Sequence, residues 1–286
     1  MFEFCDLDFE IFGICDYLRS SVVDAFLMNI SFFEEFPTNE NLNKLKLIPK
    51  DFGTELYIAA FSLQEFREFK EKIGVIYELP LVYWIVLKKW EGYWISPFSV
   101  RSALLRTLNE VREEPIEVML DLENPVHARW LYFLELPNFR RNKRFISEFI
   151  KCRESRKAGA TILVELPGDE EKLKFWGLAY DGIGDSRIAP TYIARMFYTS
   201  VIKWSREKRA SKLQEVCEQG VEKYGARFKI GLGCIAKGVS GVEPILSPEE
   251  LKEDLQIARE SKVQEAIIFR LGGLTGDYIR AIETII

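Results

Sequence analysis

Short apolar runs alternate along this chain with longer segments that are apolar on one side only. A short apolar run bounded by Pro, Gly or Asn predicts a strand covered on both faces, which needs no polar side. Such runs occupy residues 9–15, 55–61, 81–87, 116–122, 161–166, 188–198, 227–232 and 265–271. The intervening segments repeat apolar residues at helical spacing. They predict helices at 17–30 behind Asp16, 63–72 behind Ser62, 100–111 behind Ser99, 138–155, 170–178 behind Asp169, 200–224 and 277–285. The clearest start is Ser247-Pro248-Glu249-Glu250. Ser at the N-cap, Pro at the first helical position and Glu at the third satisfy the free N–H groups of a first turn. Leu251, Leu255 and Ala258 continue that helix as an apolar stripe.

Eight strand–helix units in series, with no Pro/Gly/Ser-rich linker, predict one (β/α)8 barrel spanning residues 1–286. The alternative is an open doubly wound sheet of five or six strands, which enters through the weak pattern at 188–198. Composition agrees with a large core. The chain is 48% hydrophobic and 13% aromatic, which excludes disorder, and its 18 Gly and 11 Pro are too few for a collagen-like or low-complexity chain.

A net charge of −5 argues against a nucleic-acid partner. The basic stretch 203–212 is interleaved with Glu207 and predicts a solvated helix face. No stretch approaches the roughly 18 uncharged apolar residues of a membrane span. Cys5, Cys15, Cys152, Cys217 and Cys234 form no C-x-x-C pair, and His127 is the only histidine. That pattern predicts reduced, packed thiols in a cytoplasmic protein, and no zinc site. The opening Met1-Phe-Glu-Phe-Cys-Asp lacks the basic region of a secretory signal. Lys and Glu dominate over Gln and His, a thermophilic lean. Neither G-x-x-x-x-G-K-[ST] nor G-x-G-x-x-G occurs, and no cofactor is expected.

In a barrel the carboxyl ends of the strands carry the chemistry. The fourth run ends Met119-Leu120-Asp121-Leu122-Glu123, and alternation puts Met119, Asp121 and Glu123 on one face. Two carboxylates about 6–7 Å apart along a strand push each other's pKa values apart, which suits an acid and a base. Glu165 ends the next run. With strands about 4.8 Å apart, its carboxyl group comes within roughly 5–9 Å of that of Glu123, the span used in glycoside hydrolysis. The loop after the third run is rich in aromatics, and Trp84, Trp90, Tyr93 and Trp94 offer ring faces for stacking on a sugar. Arg270, ending the eighth run, is a candidate substrate contact.

Asp121-Leu122-Glu123, following an apolar run in mid-chain, resembles the D-x-E ending of the fourth strand in several TIM-barrel glycoside hydrolase families. That resemblance implies that Glu123 is the proton donor and Asp121 its tuning partner, with a carbohydrate ligand. It covers a few residues and the general architecture. The run 229–235 has no carboxylate where many such hydrolases place a nucleophile, and the D-x-x-D-x-D-x-E signature of chitinase-like barrels is absent, since Met119 stands where it needs an acid.

Two other functions fit the same barrel. Gly231, Gly233, Gly238 and Gly241, then Gly272, Gly273 and Gly276, cluster after the last two strands, where backbone N–H groups bind phosphate in many barrels. His127, four residues after Glu123, shares a face with it if that segment is helical, and with Asp121 and Glu165 makes a hard-metal site. These features point to a phosphorylated or metal-bound metabolite. The remaining alternative is a non-catalytic binding module of a longer protein.

Overall fold

The computed structural model describes residues 27–50, 52–156, 158–165 and 191–286. Eight parallel strands form a closed barrel in chain order, so the open sheet does not form. They are β1 (Asn29–Glu34), β2 (Leu56–Ala60), β3 (Leu81–Ile85), β4 (Glu117–Asp121), β5 (Thr161–Glu165), β6 (Thr191–Met196), β7 (Phe228–Gly233) and β8 (Glu265–Phe269). Closure is a five-residue ladder between β1 and β8, Asn29 opposite Glu265 through Phe33 opposite Phe269. The helices among the described residues are α1 (Asn39–Asn43), α2 (Leu63–Ile76), α3 (Arg101–Val111), α4 (Leu131–Leu134), α5 (Phe139–Arg156), α6 (Arg206–Tyr224), α7 (Pro248–Glu260) and α8 (Gly276–Glu283). None of them is long and apolar enough to cross a membrane.

From the second strand onward the apolar runs fall where the pattern predicts them. The first does not. Barrel closure uses Asn29–Glu34, which overlaps the end of the helix expected at 17–30; the run at 9–15 and the rest of that helix lie outside the described residues. Residues 30–34 are buried on both faces like the other strands, but no Pro or Gly sets the run apart from the apolar spacing that precedes it. The helix expected at 170–178 also lies outside the described residues.

Caps separate into those that form and those that do not. Ser62 and Ser247 accept from the N–H groups of Glu65 and Glu250, and Glu250 returns the bond to Ser247 N–H. Ser99 does not cap α3; its Oγ donates to Trp94 O and accepts from Ser96 N–H, pinning the aromatic loop instead. The helix expected at 200–224 starts only at Arg206, behind Ser205.

Two apolar layers follow from strand alternation. Ile30, Phe32, Ile58, Ile85, Leu120, Ile230 and Ile268 face the helices. Phe33, Tyr57, Val82, Trp84, Met119, Ile162, Ala194, Ile267 and Phe269 fill the barrel. Gly220 lets α6 lie directly on β7, since a Cβ there would stand inside the Phe228 ring. Arg153 of α5, fully buried, donates to the carbonyls of Val111, Glu114, Ile116 and Ala158 and so ties α5 to the end of α3 and the approaches to β4 and β5.

The amino end of the barrel holds a polar layer. Lys229 Nζ lies 2.7 Å from Tyr57 Oη and 3.3 Å from a Glu55 oxygen, and pairs with Glu265. Burial pushes the Glu265 carboxyl above its usual range, opposed by Lys229. Burial opposes the charge on Lys229, but Glu265 and Glu55 hold its pKa above the ordinary value, so it is cationic across the neutral range.

Replacing Lys229 by Met leaves buried carboxylates without their cation. We expect a loss of roughly 3–5 kcal/mol at pH 7. Because Glu265 then takes up a proton, the deficit relative to wild type should shrink as pH falls from 7 to 5, measured by urea unfolding; a pH-independent deficit would contradict it. Gly220→Ala, which favours an isolated helix by about 1 kcal/mol, should here destabilise by roughly 1–3 kcal/mol through overpacking on Phe228.

Candidate active site

A cavity of about 300 Å³ opens at the carboxyl ends of the strands. Its floor is Phe33, Met119, Met196 and Phe269, and its walls carry Trp84, Trp94 and Tyr198. Glu35, Asp121, Glu123 and Glu243 all line it. Each arrives by a local rule. On β4, Met119 and Asp121 face inward and Glu123 follows two residues on, so both acids reach the mouth. On β1, Ser31 and Phe33 face inward; Glu35 continues that parity, while Glu34 turns outward. Glu243 comes from the long β7–α7 connection.

Glu35 is held by two hydrogen bonds. Its Oε1 accepts from Tyr93 Oη–H at 2.6 Å and its Oε2 from Val239 N–H at 2.9 Å. Burial pushes its carboxyl up to about 7, with Glu243 adding to the rise and the hydrogen bonds from Tyr93 and Val239 and the charge of Arg270 opposing it. Tyr93 reaches this position through a left-handed backbone, φ 62°, directly after Gly92 at φ 124°. Burial, with Glu35 and Asp121 nearby, holds its phenol well above its ordinary pKa, so it stays a donor. Tyr198 is likewise kept neutral by burial and by Cys234, Asp121, Glu123 and Glu35. The Trp84 indole N–H, buried at the cavity, has no acceptor among the described residues. Burial pushes the Cys234 thiol up to about 12, which disfavours its thiolate.

The residues expected from the sequence divide as follows. Asp121, Glu123, Trp84 and Trp94 meet in the cavity. Tyr93 stands behind its wall, bonded to Glu35. Trp90 points away, 62% exposed, with Lys88 over its ring at 5.2 Å. Arg270 is committed elsewhere: its Nη1 donates to Glu34 at 2.9 Å and its Nε to Lys237 O at 2.9 Å. Glu165 ends β5 opposite Arg195, two positions after the outward-facing Leu163; its side chain lies outside what the structure describes. Residues 123–127 are not helical, so His127 does not stack above Glu123; it packs 5.2 Å from Trp94 instead. Among the described residues no group of three or more His, Cys, Asp and Glu side chains is arranged to hold a metal ion. The glycine-loop donors also have partners already. Gly238 N–H binds Glu243, Val239 N–H binds Glu35 and Gly272 N–H binds Glu34, so carboxylates of the chain occupy the place proposed for phosphate.

Glu35 and Glu243 went unread in the sequence. For Glu35 the signal existed: Glu34-Glu35 directly follows Ile30-Ser31-Phe32-Phe33, the run that closes the barrel. A carboxyl group that keeps its proton near neutrality, set among other carboxylates, is equipped for acid–base chemistry.

No protein-family model and no curated protein matches this sequence. Among solved structures, the chain is similar to the PgaB (BpsB) glycoside hydrolase domain from Bordetella bronchiseptica, with 11% identity, TM-score 0.49, and 89% of this chain and 95% of that one covered. It is also similar to a Bacteroidetes-affiliated GH5 cellulase linked with a polysaccharide utilization locus, with 10% identity, TM-score 0.49, and 91% of each chain covered. A third similar structure is triosephosphate isomerase from Bartonella henselae, with 13% identity, TM-score 0.43, and 91% and 99% covered.

Proposed function

We propose that this protein is a carbohydrate-acting barrel enzyme that hydrolyses glycosidic bonds. One observation carries the proposal: carboxylates from β1 and β4 converge with aromatic faces on a single cavity at the carboxyl ends of the strands. Trp84 and Trp94 supply ring faces for the apolar side of a sugar, and the unpaired Trp84 N–H supplies a donor for one of its hydroxyls.

In this proposal the acid role, which the D-x-E resemblance implies for Glu123, passes to Glu35, the more buried of the two. Glu35 gives its proton to the glycosidic oxygen as the bond from that oxygen to the anomeric carbon breaks. The departing alcohol keeps the bonding electrons and that proton. Glu123, half-buried in the same cavity, takes a proton from the attacking water, whose oxygen bonds to the anomeric carbon. Asp121, 2% exposed, lines the same cavity, where a carboxylate stabilises a developing oxocarbenium ion. Glu35 thus replaces Glu165 as the second carboxylate.

A panel of chromogenic glycosides tests this. Glu35→Gln and Glu123→Gln should each lower kcat by about 10²–10⁴-fold, with sugar affinity changed only a few-fold. Because Glu35 must be protonated to act, wild-type activity should fall as pH rises through about 7. Turnover that survives both substitutions would sink the assignment.

A further inference from the structure

A second cavity, also about 300 Å³, opens beside the first at the ends of β1, β2 and β3. Its walls are mainly Phe36, Pro37, Ala59, Phe61, Phe69 and Val86. Of the charged residues that line it besides Glu35, Glu65 is occupied as the acceptor for Phe61 N–H at 2.7 Å, and Lys89 is exposed to solvent. Glu35 lines both cavities, and Tyr93, which lines the second, donates to it. The Glu35–Tyr93 hydrogen bond therefore stands at the partition. On one side lie Asp121, Glu123 and Glu243; on the other lie mostly phenyl, methyl and prolyl surfaces.

We propose that the two cavities hold the two halves of one substrate: the sugar in the acidic cavity and an apolar aryl or alkyl leaving group in the second, with Glu35 at the bond between them. This rests on the hydrolase proposed above and adds the substrate class. A second sugar in the leaving-group position would bury hydroxyl groups against walls that offer few partners, whereas an aromatic ring loses nothing there. The size suits it, since a dry cavity of about 150 Å³ already accepts benzene and this one is about 300 Å³, room for two fused rings. The chemical step leaves the second cavity holding the neutral alcohol: the glycosidic oxygen takes the Glu35 proton and the electron pair of the broken bond, and water completes the sugar. Tyr93 is a positioning residue that keeps the Glu35 carboxyl at the partition.

The test is a fluorescence titration of the full chain with 2-naphthol, an aryl alcohol without sugar. Wild type should bind it. Ala59→Phe, which fills the cavity, and Phe61→Asp, at a position 45% exposed where folding is tolerant, should each weaken binding at least about tenfold. Trp94→Ala, in the other cavity, should leave it within about twofold. Failure of wild type to bind 2-naphthol, or equal weakening by Trp94→Ala, overturns the assignment. The two proposals fail differently. Intact 2-naphthol binding with no naphthol released from any 2-naphthyl glycoside overturns the hydrolase, and the leaving-group role with it. Cleavage of disaccharides without 2-naphthol binding overturns the second cavity alone.

Discussion

The structure turns on one buried ion pair at the seam of the barrel. Glu34, fully buried at the end of β1, takes Arg270 Nη1 from the end of β8 at 2.9 Å. The same carboxylate accepts from Phe36 N–H at 2.7 Å, from Asn41 Nδ2 at 3.3 Å and from Gly272 N–H at 2.6 Å. Burial raises its pKa above the usual carboxylate range and Arg270 opposes that rise. A charge in this position is tolerated because its oxygens are filled by charge-assisted and backbone hydrogen bonds. The pair holds β1 to the loop after β8 and to α1. It also fixes a direction. Neighbouring residues on an extended chain point to opposite sides, so an outward Glu34 commits Glu35 to the mouth.

The barrel interior then separates two charged regions. At the amino end, Lys229 is surrounded by Glu55, Glu265 and Tyr57. At the carboxyl end the charge is acidic. Between them Phe33 packs against Tyr57, Trp84 and Phe269, with ring centroids 5.4, 5.6 and 6.3 Å apart. Gly231 lets β6 and Met196 lie close to β7, because a Cβ there would stand 3.1 Å from the Met196 side chain. The aromatic plug strips water from the floor of the mouth. Burial at this mouth opposes the charged form of Glu35 and raises its carboxyl pKa.

The loops after β7 and β8 serve the same end. Their glycines bring backbone N–H groups up to Glu34, Glu35 and Glu243. Donors of this kind bind an external anion when a loop is empty of acids. Here the end of β1 supplies Glu34 and Glu35 and the β7–α7 loop itself supplies Glu243, and the loops are folded onto these acids. Gly273 shows how tight that folding is: a Cβ there would collide with the Ile235 carbonyl, so the two loops are seated on each other.

Short apolar runs bounded by turn residues are enough to recognise seven of the eight strands, and the two-residue period of extended chain is enough to place Asp121 and Glu123 on one face. The Ser247 capping box is equally local and forms as read. The first strand escaped because no Pro or Gly separates Asn29–Glu34 from the apolar spacing read as a helix at 17–30. Once that strand was misplaced, the tandem Glu34-Glu35 had no strand end to sit on. The placements of Ser99, Trp90 and Arg270 have a different origin: Ser99 bonds to Trp94 O, Trp90 is exposed beneath Lys88, and Arg270 pairs with Glu34, all of which only packing decides. The sequence by itself determined the barrel and which face of β4 is acidic. Tertiary structure alone decided which carboxylate from another strand joins that face and how dry it is, because both require β1 and β8 to meet and close.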